Sequence, residues 1–413
     1  MNLVIYRLIG SIAAAALLAQ APVTRVVWVL EAPNRIVEYD AGSFVARRTV
    51  LAPPRVFEHP EYLRINARGQ MLFTSKPGVE FASGELASTA RRVWVWDGRE
   101  AHEFPREDVP DTTREWFLSS SGDALYAFEN RFALARDKEG LEQSQRASAR
   151  FWRTDLTGGR REVVIELAAL PSCTCETGAC SESCPEWDAW APSGVIDRFL
   201  LLTKYIPGQL QTDYQTTTIY RRDGQAWRPA TLPQPIEEPL DASPDGATIL
   251  AAVPDAGCCG WINASSDQLL ALRGGTATTL FDEISRFDNQ DYDMSFVATA
   301  ARLSPDLARV AYTLVADAPP AGDEIRLSDS GKANPAELAR IRQAMTSLPA
   351  VEIVRLEAPT RTPVVIPHAS LAGWLDGDRM LVVQEGTLAV YSAAGAKVRN
   401  TLIAASASIA WLR

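Results

Sequence analysis

Histidine is scarce in this sequence, with three residues among 413. Because histidine is the side chain that most often serves as a general acid, a general base or a metal ligand near neutral pH, few sites of that kind can be built here. Three well-known signatures are also missing: the G-x-S-x-G nucleophile elbow, the P-loop and the dinucleotide fingerprint. Their absence argues against the hydrolases, nucleotide hydrolases and dehydrogenases that carry those motifs.

Positive charge is also in short supply. The chain has 41 Lys and Arg against 51 Asp and Glu, which gives a net charge of −10 and a pI near 5.1. Since nucleic-acid binding requires clustered cations to contact phosphates, this balance argues against a nucleic-acid partner. It argues equally against a general attraction to anionic membrane surfaces.

No apolar run reaches the roughly 20 residues that a membrane-spanning helix needs. The apolar run at residues 8–19 follows Arg7 and leads into Ala19-Gln20-Ala21. A positive charge, a short apolar run and a small-x-small pattern are typical of a secretory signal peptide. We therefore expect residues 1–21 to be a signal peptide rather than an uncleaved anchor. The mature protein is then expected in the bacterial periplasm or secreted, with no membrane span.

The clearest local pattern covers residues 239–281. The turns Ser243-Pro244-Asp245-Gly246 and Gly274-Gly275 separate apolar segments of three to six residues. Short apolar runs bounded by Pro, Asp and Gly predict strands joined by turns. The unit is therefore expected to be a four-stranded meander, with strands at 240–242, 248–253, 268–272 and 277–281.

The same unit recurs along the chain. We find complete copies at 60–107, 112–167, 187–233, 239–281, 294–367 and 370–403. The pieces at 24–52 and 405–413 make one more unit if the chain ends meet. Because circular closure removes exposed sheet edges, we expect an all-β fold, a seven-bladed β-propeller of four-stranded blades. Its C-terminal strand would pair with the N-terminal strands, in a single domain of residues 22–413. Two stacked sandwiches are the alternative.

The Ser243–Gly246 turn, followed by an apolar strand and a later Gly-Gly turn, resembles the repeats of the Tol-system periplasmic propeller and related WD-repeat-like β-propellers. The pattern is partial at 190–194 and 304–306. The resemblance covers nearly all the mature chain and implies a fold only. Such propellers serve as binding platforms, docking domains and enzymes.

The long irregular segments fall on one side of the predicted ring. In a four-stranded blade, second-to-third loops and blade-to-blade connections leave from one end of the sheet, which we call the loop face; the opposite end is the turn face. Because function concentrates on long loops mounted on a rigid scaffold, the loop face is the candidate binding surface. Its segments are 76–90, 130–148, 172–187, 207–214, 255–266, 282–293 and 317–350.

The insertion at 317–350 carries a predicted helix. Asn334 suits the N-cap and Pro335 the first helical position. Apolar residues then recur at helical spacing on one face, which would cover the scaffold or, alternatively, contact a partner. They are Leu338, Ile341, Met345 and Leu348.

All six cysteines lie in two loop-face segments, as Cys173, Cys175, Cys180 and Cys184 and then Cys258 and Cys259. An even number in a secreted chain predicts three disulfides. Since a bridge between adjacent residues is strained, we expect the pair at 258–259 to bond to two cysteines of 173–184, with the third bond inside that segment. The alternative is a metal or redox site of free thiolates.

Five further side chains on the loop face are candidates for binding. Trp187, Trp190 and Trp261 lie in or beside the cysteine segments, where they would stack on a sugar or peptide or pack beneath the disulfides. His59 and His368 fall on blade connections, and nothing marks either as a general base.

The acidic run at 288–293 is a candidate calcium site. Asp288, Asp291 and Asp293 supply carboxylate oxygens at short intervals, as calcium prefers. The run lacks the Gly and the distal Glu of an EF-hand loop, so we expect a solvated acidic loop, with calcium binding as the alternative.

The sequence leaves three functions open. The first is a secreted or periplasmic binding or scaffold protein that engages a protein or a ligand through a disulfide-braced loop face. The second is a propeller enzyme, such as a calcium-dependent hydrolase or lyase, with its site at the central opening; the scarcity of histidine counts against it. The third, a metal or redox carrier, requires free thiols. We expect no cofactor, with calcium at residues 288–293 as the alternative.

Overall fold

The computed structural model describes most strands of the chain and nearly all of its C-terminal third. The described residues are 26–31, 35–51, 60–65, 71–75, 92–96, 101–103, 112–118, 124–136, 142–155, 161–167, 189–196, 199–207, 212–223, 226–233, 236, 238–243, 245–253, 268–289, 291–292, 294–317, 325–327, 331–359, 361–404 and 410–412. The predicted signal peptide, residues 1–21, lies outside them. Within these ranges no helix is long and apolar enough to cross a membrane.

The described residues are mostly β-strand, arranged in seven antiparallel four-stranded sheets. Sheets 1 to 4 consist of β28 (Ala410–Leu412), β1 (Val26–Glu31), β2 (Arg35–Asp40) and β3 (Ala46–Leu51); β4 (Pro60–Ile65), β5 (Met71–Ser75), β6 (Arg92–Trp96) and β7 (Ala101–Glu103); β8 (Thr112–Leu118), β9 (Ala124–Arg136), β10 (Glu142–Asp155) and β11 (Arg161–Leu167); and β12 (Ala189–Ile196), β13 (Phe199–Pro207), β14 (Thr212–Asp223) and β15 (Ala226–Thr231).

The remaining sheets carry the two helices of the described residues. Sheets 5 to 7 consist of β16 (Glu238–Ala242), β17 (Thr248–Val253), β18 (Gln268–Arg273) and β19 (Thr276–Asp282); β20 (Ser295–Leu303), β21 (Arg309–Asp317), β22 (Ala350–Arg355) and β23 (Val364–Ile366); and β24 (Ala369–Trp374), β25 (Arg379–Gln384), β26 (Thr387–Ser392) and β27 (Lys397–Ala404). Helix α1 (Glu283–Phe287) connects sheets 5 and 6, and α2 (Pro335–Met345) lies between β21 and β22.

Sheet 7 packs against sheet 6 on one side and against sheet 1 on the other. In β25, Met380 and Val382 belong to the core shared with sheet 6, whereas Leu381 and Val383 belong to the core shared with sheet 1. Because successive side chains of a strand point to opposite faces, both faces of sheet 7 are buried. The first and last parts of the sequence are therefore neighbours.

The Ser-Pro-Asp turn that marks the repeat is held by the same bonds in two sheets. Ser243 Oγ donates to Asp245 Oδ1 at 2.6 Å and accepts from the Thr248 N–H at 2.9 Å. Ser304 Oγ makes the equivalent bonds in sheet 6, to Asp306 at 2.5 Å and from the Arg309 N–H at 2.9 Å. These residue types recur because their side chains replace backbone hydrogen bonds in the turn.

A β-bulge recurs in the first strand of the sheets. The pairing of first and second strands shifts register in five sheets, those that begin with β4, β12, β16, β20 and β24. In sheets 5 and 6 the bulged backbone bonds to the next sheet. The carbonyl of Leu240 accepts from Arg302 Nη1 at 2.8 Å, and the carbonyl of Arg302 accepts from Trp374 Nε1 at 3.1 Å. The bulges thus tie neighbouring sheets together.

Two segments differ from the sequence-based expectation. Residues 130–148 were expected to be a loop, but β9 and β10 continue through most of them in a long hairpin. In β9, Phe132 and Leu134 alternate with other residues as in a strand, but the facing part of β10, residues 142–148, is polar and resembles a loop in composition. Residues 190–194 were expected to be a turn, yet they lie inside β12, where Pro192 and Gly194 flank a bulge. Pro and Gly are typical of bulges as well as of turns.

Candidate functional site

The described part of the loop face includes the two helices with the residues beside them, and the end of the β9–β10 hairpin. α1 follows the fourth strand of sheet 5, and α2 joins the second and third strands of sheet 6. Both connections leave an antiparallel sheet from the same end. We call α1, residues 288–294 and residues 331–349 together the α1–α2 assembly.

α1 is a short helix that is capped by a side chain at its first turn and by a backbone hydrogen bond at its last. Asp282 Oδ1 accepts from the Ser285 N–H at 2.8 Å, which satisfies an orphan donor of the first turn. Asp288 adopts a left-handed conformation, with φ of 55°, and its N–H donates to the Ile284 carbonyl at 2.9 Å. Phe287 stacks on Phe296 of β20, with 3.7 Å between ring centroids. These contacts fix α1 on sheet 6.

An ion pair between the partly exposed Arg286 and the buried Glu352 anchors α1 to the middle of sheet 6. Arg286 donates to both carboxylate oxygens of Glu352, at 2.6 Å each. The Tyr312 hydroxyl donates to Glu352 Oε2 at 2.7 Å. Glu352 lies in β22 and is 1% exposed. A carboxylate this deeply buried requires a cation and hydrogen-bond donors, and this site supplies both.

The electrostatics of the cluster keep Tyr312 neutral and Arg286 charged. Burial, and then the charge of Glu352, raise the pKa of Tyr312 far above its usual range, so the phenol remains a neutral donor. For Arg286, burial opposes the charged form, but the hydrogen bond to Glu352 and its charge outweigh that effect and raise the pKa. The arrangement is therefore a fixed anchor for α1 rather than a reactive centre.

α2 has the cap and the apolar stripe that the sequence predicts. Asn334 Oδ1 accepts from the Ala336 N–H at 3.1 Å, and Pro335 is the first helical residue. Ile341 is fully buried in the core shared by sheets 5 and 6. Further residues of the stripe, Leu338, Met345 and Leu348, pack against the same core. The helix therefore covers the scaffold with one face and presents the other to solvent.

Polar contacts join the two helices into one unit. The Tyr292 hydroxyl accepts from the Asn334 N–H and donates to the Asn334 carbonyl, both at 2.9 Å. Arg340 lies 3.6 Å from the Asp288 carboxylate. The N-cap of α2 is thus fixed by the segment that follows α1, so the assembly is held by contacts from both insertions.

The structure describes part of the candidate calcium loop. Asp288 lies near Arg340, Asp291 is half-buried, and Asp293 lies outside the described residues. Asn289, which follows Asp288, is buried. Its Nδ2 donates to Glu283 Oε1 at 2.6 Å and to the Met294 carbonyl at 2.9 Å, whereas its Oδ1 has no hydrogen-bond partner. Among the described side chains, no three acidic, histidine or cysteine groups form a metal site. The calcium site stays a prediction.

Most other predicted site residues lie outside the described residues. His368 is described: it is exposed in the turn between β23 and β24, with φ of 53°, and its N–H donates to the Ser347 carbonyl at 3.0 Å. Trp190 lies in β12. The residues outside the described ranges are Cys173, Cys175, Cys180, Cys184, Cys258, Cys259, Trp187, Trp261 and His59.

The ion pair under α1 was not anticipated from the sequence. Its signal is a single acidic residue, Glu352, inside the apolar run Ala350–Arg355. In a strand buried on both faces, one carboxylate predicts a buried cation nearby. The sequence does not say which cation, because Arg286 is 66 residues away.

No protein-family model and no curated protein sequence matches the chain. Among solved structures, it is similar to the dihydro-heme d1 dehydrogenase NirN, with 13% identity and a TM-score of 0.46, over 95% of this chain and 76% of that chain. It is also similar to the β-propeller domain of the trilobed protease from Pyrococcus furiosus, with 13% identity and a TM-score of 0.42, over 92% and 94% of the two chains.

A further likeness is to the Pyrococcus horikoshii acylaminoacyl peptidase, with 14% identity and a TM-score of 0.40 over 89% of this chain. The chain spans about half of that peptidase, 47% of its length. These likenesses are weak, and none of them carries over an activity or a ligand. The resemblance to the Tol-system propeller also stays a prediction.

Proposed function

We propose that the chain is an extracytoplasmic seven-bladed β-propeller that binds a protein or a ligand through its loop face. Three features support the ring. The described residues contain seven four-stranded sheets, sheet 7 packs between sheets 6 and 1, and β28 pairs with β1. Closing the ring in this way leaves no sheet without a neighbour.

The α1–α2 assembly is the observation that carries the binding role. Ordering a long insertion costs conformational entropy, and the chain offsets it with an ion pair to the buried Glu352, a capped helix and an apolar anchor. The described turns at the other end of sheets 5 and 7, such as Gly274-Gly275 and Gly395, are short. A rigid, elaborated end on a regular scaffold is the usual architecture of a binding surface.

Site-specific photo-crosslinking in the native host tests this role. A photo-reactive amino acid replaces Ala339, which is exposed on α2, or Ala277, which is exposed beside the Gly274-Gly275 turn. We expect a discrete crosslinked partner from Ala339 and none from Ala277. Equal products at both positions, or products from Ala277 alone, would contradict binding through the loop face.

We further propose that the protein is exported and that three disulfides brace the loop face. The proposal rests on the residue 1–21 pattern and on the even number of cysteines in two loop-face segments. Peptide mapping of the mature protein without reduction is the test. Bonds from Cys258 and Cys259 to the segment 173–184 are expected, whereas six free thiols would favour a metal or redox carrier.

Calcium binding at 288–293 is the second candidate, and with it the calcium-dependent hydrolase or lyase. One observation favours it: the side-chain oxygen of Asn289 is buried in this loop without a donor, and calcium takes oxygen ligands of this kind. The proximity of Arg340 to Asp288 works against it. A rise in melting temperature with calcium over EGTA, lost in Asp291→Asn, is the expected sign. No change in melting temperature would exclude the site.

A further inference from the structure

β28 holds the inner edge of sheet 1 with a very short ladder. β1 pairs with β2 over six residues, from Val26 to Glu31, but with β28 over three, from Val27 to Val29. In the other sheets the first strand has between five and nine residues, as β16 and β20 illustrate. β28 is thus the shortest first strand of the seven sheets.

β1 nevertheless has a strong need for a partner on that edge. Val27 and Val29 are fully buried and Trp28 is 2% exposed. Since alternate side chains point to opposite faces, both faces of β1 are covered. The N–H and C=O groups on the edge toward β28 therefore have little access to water, and leaving them unpaired is costly. The edge of β1 is therefore buried and needs a partner strand, whereas the strand that pairs with it, β28, does so over only three residues.

Among the described strands, the pairing of β28 with β1 also joins residues that are farthest apart in the sequence. It joins Val27 to Leu412, so it closes a chain segment that includes almost every other strand. Local opening occurs first where the fewest hydrogen bonds and the least local contact hold a segment. Among the described strands, β28 meets both conditions. β7 and β23 also pair over only three residues, but their partners are close in sequence. We therefore expect β28 to separate from its sheet before any other first strand does.

We propose that the edge of β1 that faces β28 is a strand-acceptor site. β28 occupies it within the same chain, and an extended apolar peptide segment can displace β28 and take its place. Such a segment would bind through backbone hydrogen bonds. Because β28 pairs with Val27–Val29 only, three residues of the segment would pair with β1. The inference rests on the ring closure proposed above. It adds to the loop face a second binding site, with an extended apolar peptide as its ligand class.

Binding of the chain's own C-terminal peptide to the intact protein tests the proposal. The probe is a fluorescent peptide of residues 404–413, and the control is the same composition in scrambled order. We expect saturable binding of one native peptide per chain, at least about tenfold tighter than the scrambled peptide, which corresponds to about 1.4 kcal/mol. Equal binding of both peptides, or no binding of either, would overturn the proposal.

A disulfide between β1 and β28 tests the exchange of strands separately from the pairing of β28 with β1. Val29 and Ala410 are directly opposite in the ladder, at a separation that suits a disulfide between cysteines. In the oxidised Val29→Cys/Ala410→Cys variant, peptide binding should fall to the scrambled level, while each single variant should bind normally. Unchanged binding in the locked variant would refute the exchange. Failure of the 29–410 bond to form would refute the closure itself.

Discussion

The ion pair between Arg286 and the buried Glu352 gives the sharpest prediction. Replacing Arg286 by methionine keeps much of the side-chain volume but leaves the Glu352 carboxylate without its cation. Loss of one member of a buried ion pair costs about 3–5 kcal/mol. Because 34% of the Arg286 side chain is exposed, we expect the lower end, about 3 kcal/mol of unfolding free energy.

A double-mutant cycle isolates the stranded charge. Glu352→Gln removes the charge and can still accept from the Tyr312 hydroxyl. The double variant Arg286→Met/Glu352→Gln should therefore be more stable than Arg286→Met alone, by about 1–2 kcal/mol. Urea unfolding followed by tryptophan fluorescence gives the midpoints, with the slope as a check that the unfolding transition is comparable.

The matched control is the exposed pair of Arg340 and Asp288. Their side chains are 57% and 60% exposed and their charges are 3.6 Å apart. Arg340→Met should cost less than about 0.5 kcal/mol, as exposed ion pairs do. Equal losses for Arg286→Met and Arg340→Met, or strictly additive effects in the cycle, would refute the anchoring role of Glu352.

Three further predictions concern the turns and the cluster. Gly395→Ala should destabilise the protein by about 1–3 kcal/mol more than Gly386→Ala. Both glycines have positive φ, but only the methyl added at 395 would meet another side chain, that of Val364 at 2.7 Å. Thermal melts of the two variants test this. Above pH 10 the Tyr312 phenol ionises in the unfolded chain but not in the folded protein, so the free energy of unfolding should fall by about 1.4 kcal/mol per pH unit. Tyr312→Phe should remove this part of the fall, and urea midpoints at pH 9 and 11 test it. Burial alone would raise the pKa of Asp376, but hydrogen bonds from the Asp378 and Arg379 N–H groups outweigh burial and lower that pKa below 3.8. The carboxylate therefore stabilises the fold above pH 3.8, and this stabilisation is lost as the pH falls further. Asp376→Asn should make the acid-unfolding curve less steep.

The repeat pattern predicted the fold better than it predicted the local contacts. Turn residues such as Ser243 and Ser304 have a direct structural role, so the strands beside them could be placed from the sequence. The helix α2 was also predictable, because its cap and apolar stripe are local signals. By contrast, the partner of Glu352 and the bulge carbonyls depend on residues distant in the sequence, and no local pattern specifies them. The long hairpin at 130–148 was missed because polar strands resemble loops in composition.

Disulfide trapping between the chain ends tests the proposed ring most directly. Val29 and Ala410 are register partners, whereas Val29 and Leu412 are two positions apart in the ladder. The closed ring predicts that Val29→Cys/Ala410→Cys forms the 29–410 bond under native conditions and raises the melting temperature, while Val29→Cys/Leu412→Cys does not. Absence of the 29–410 bond, or equal trapping in both variants, would contradict a ring closed by β28.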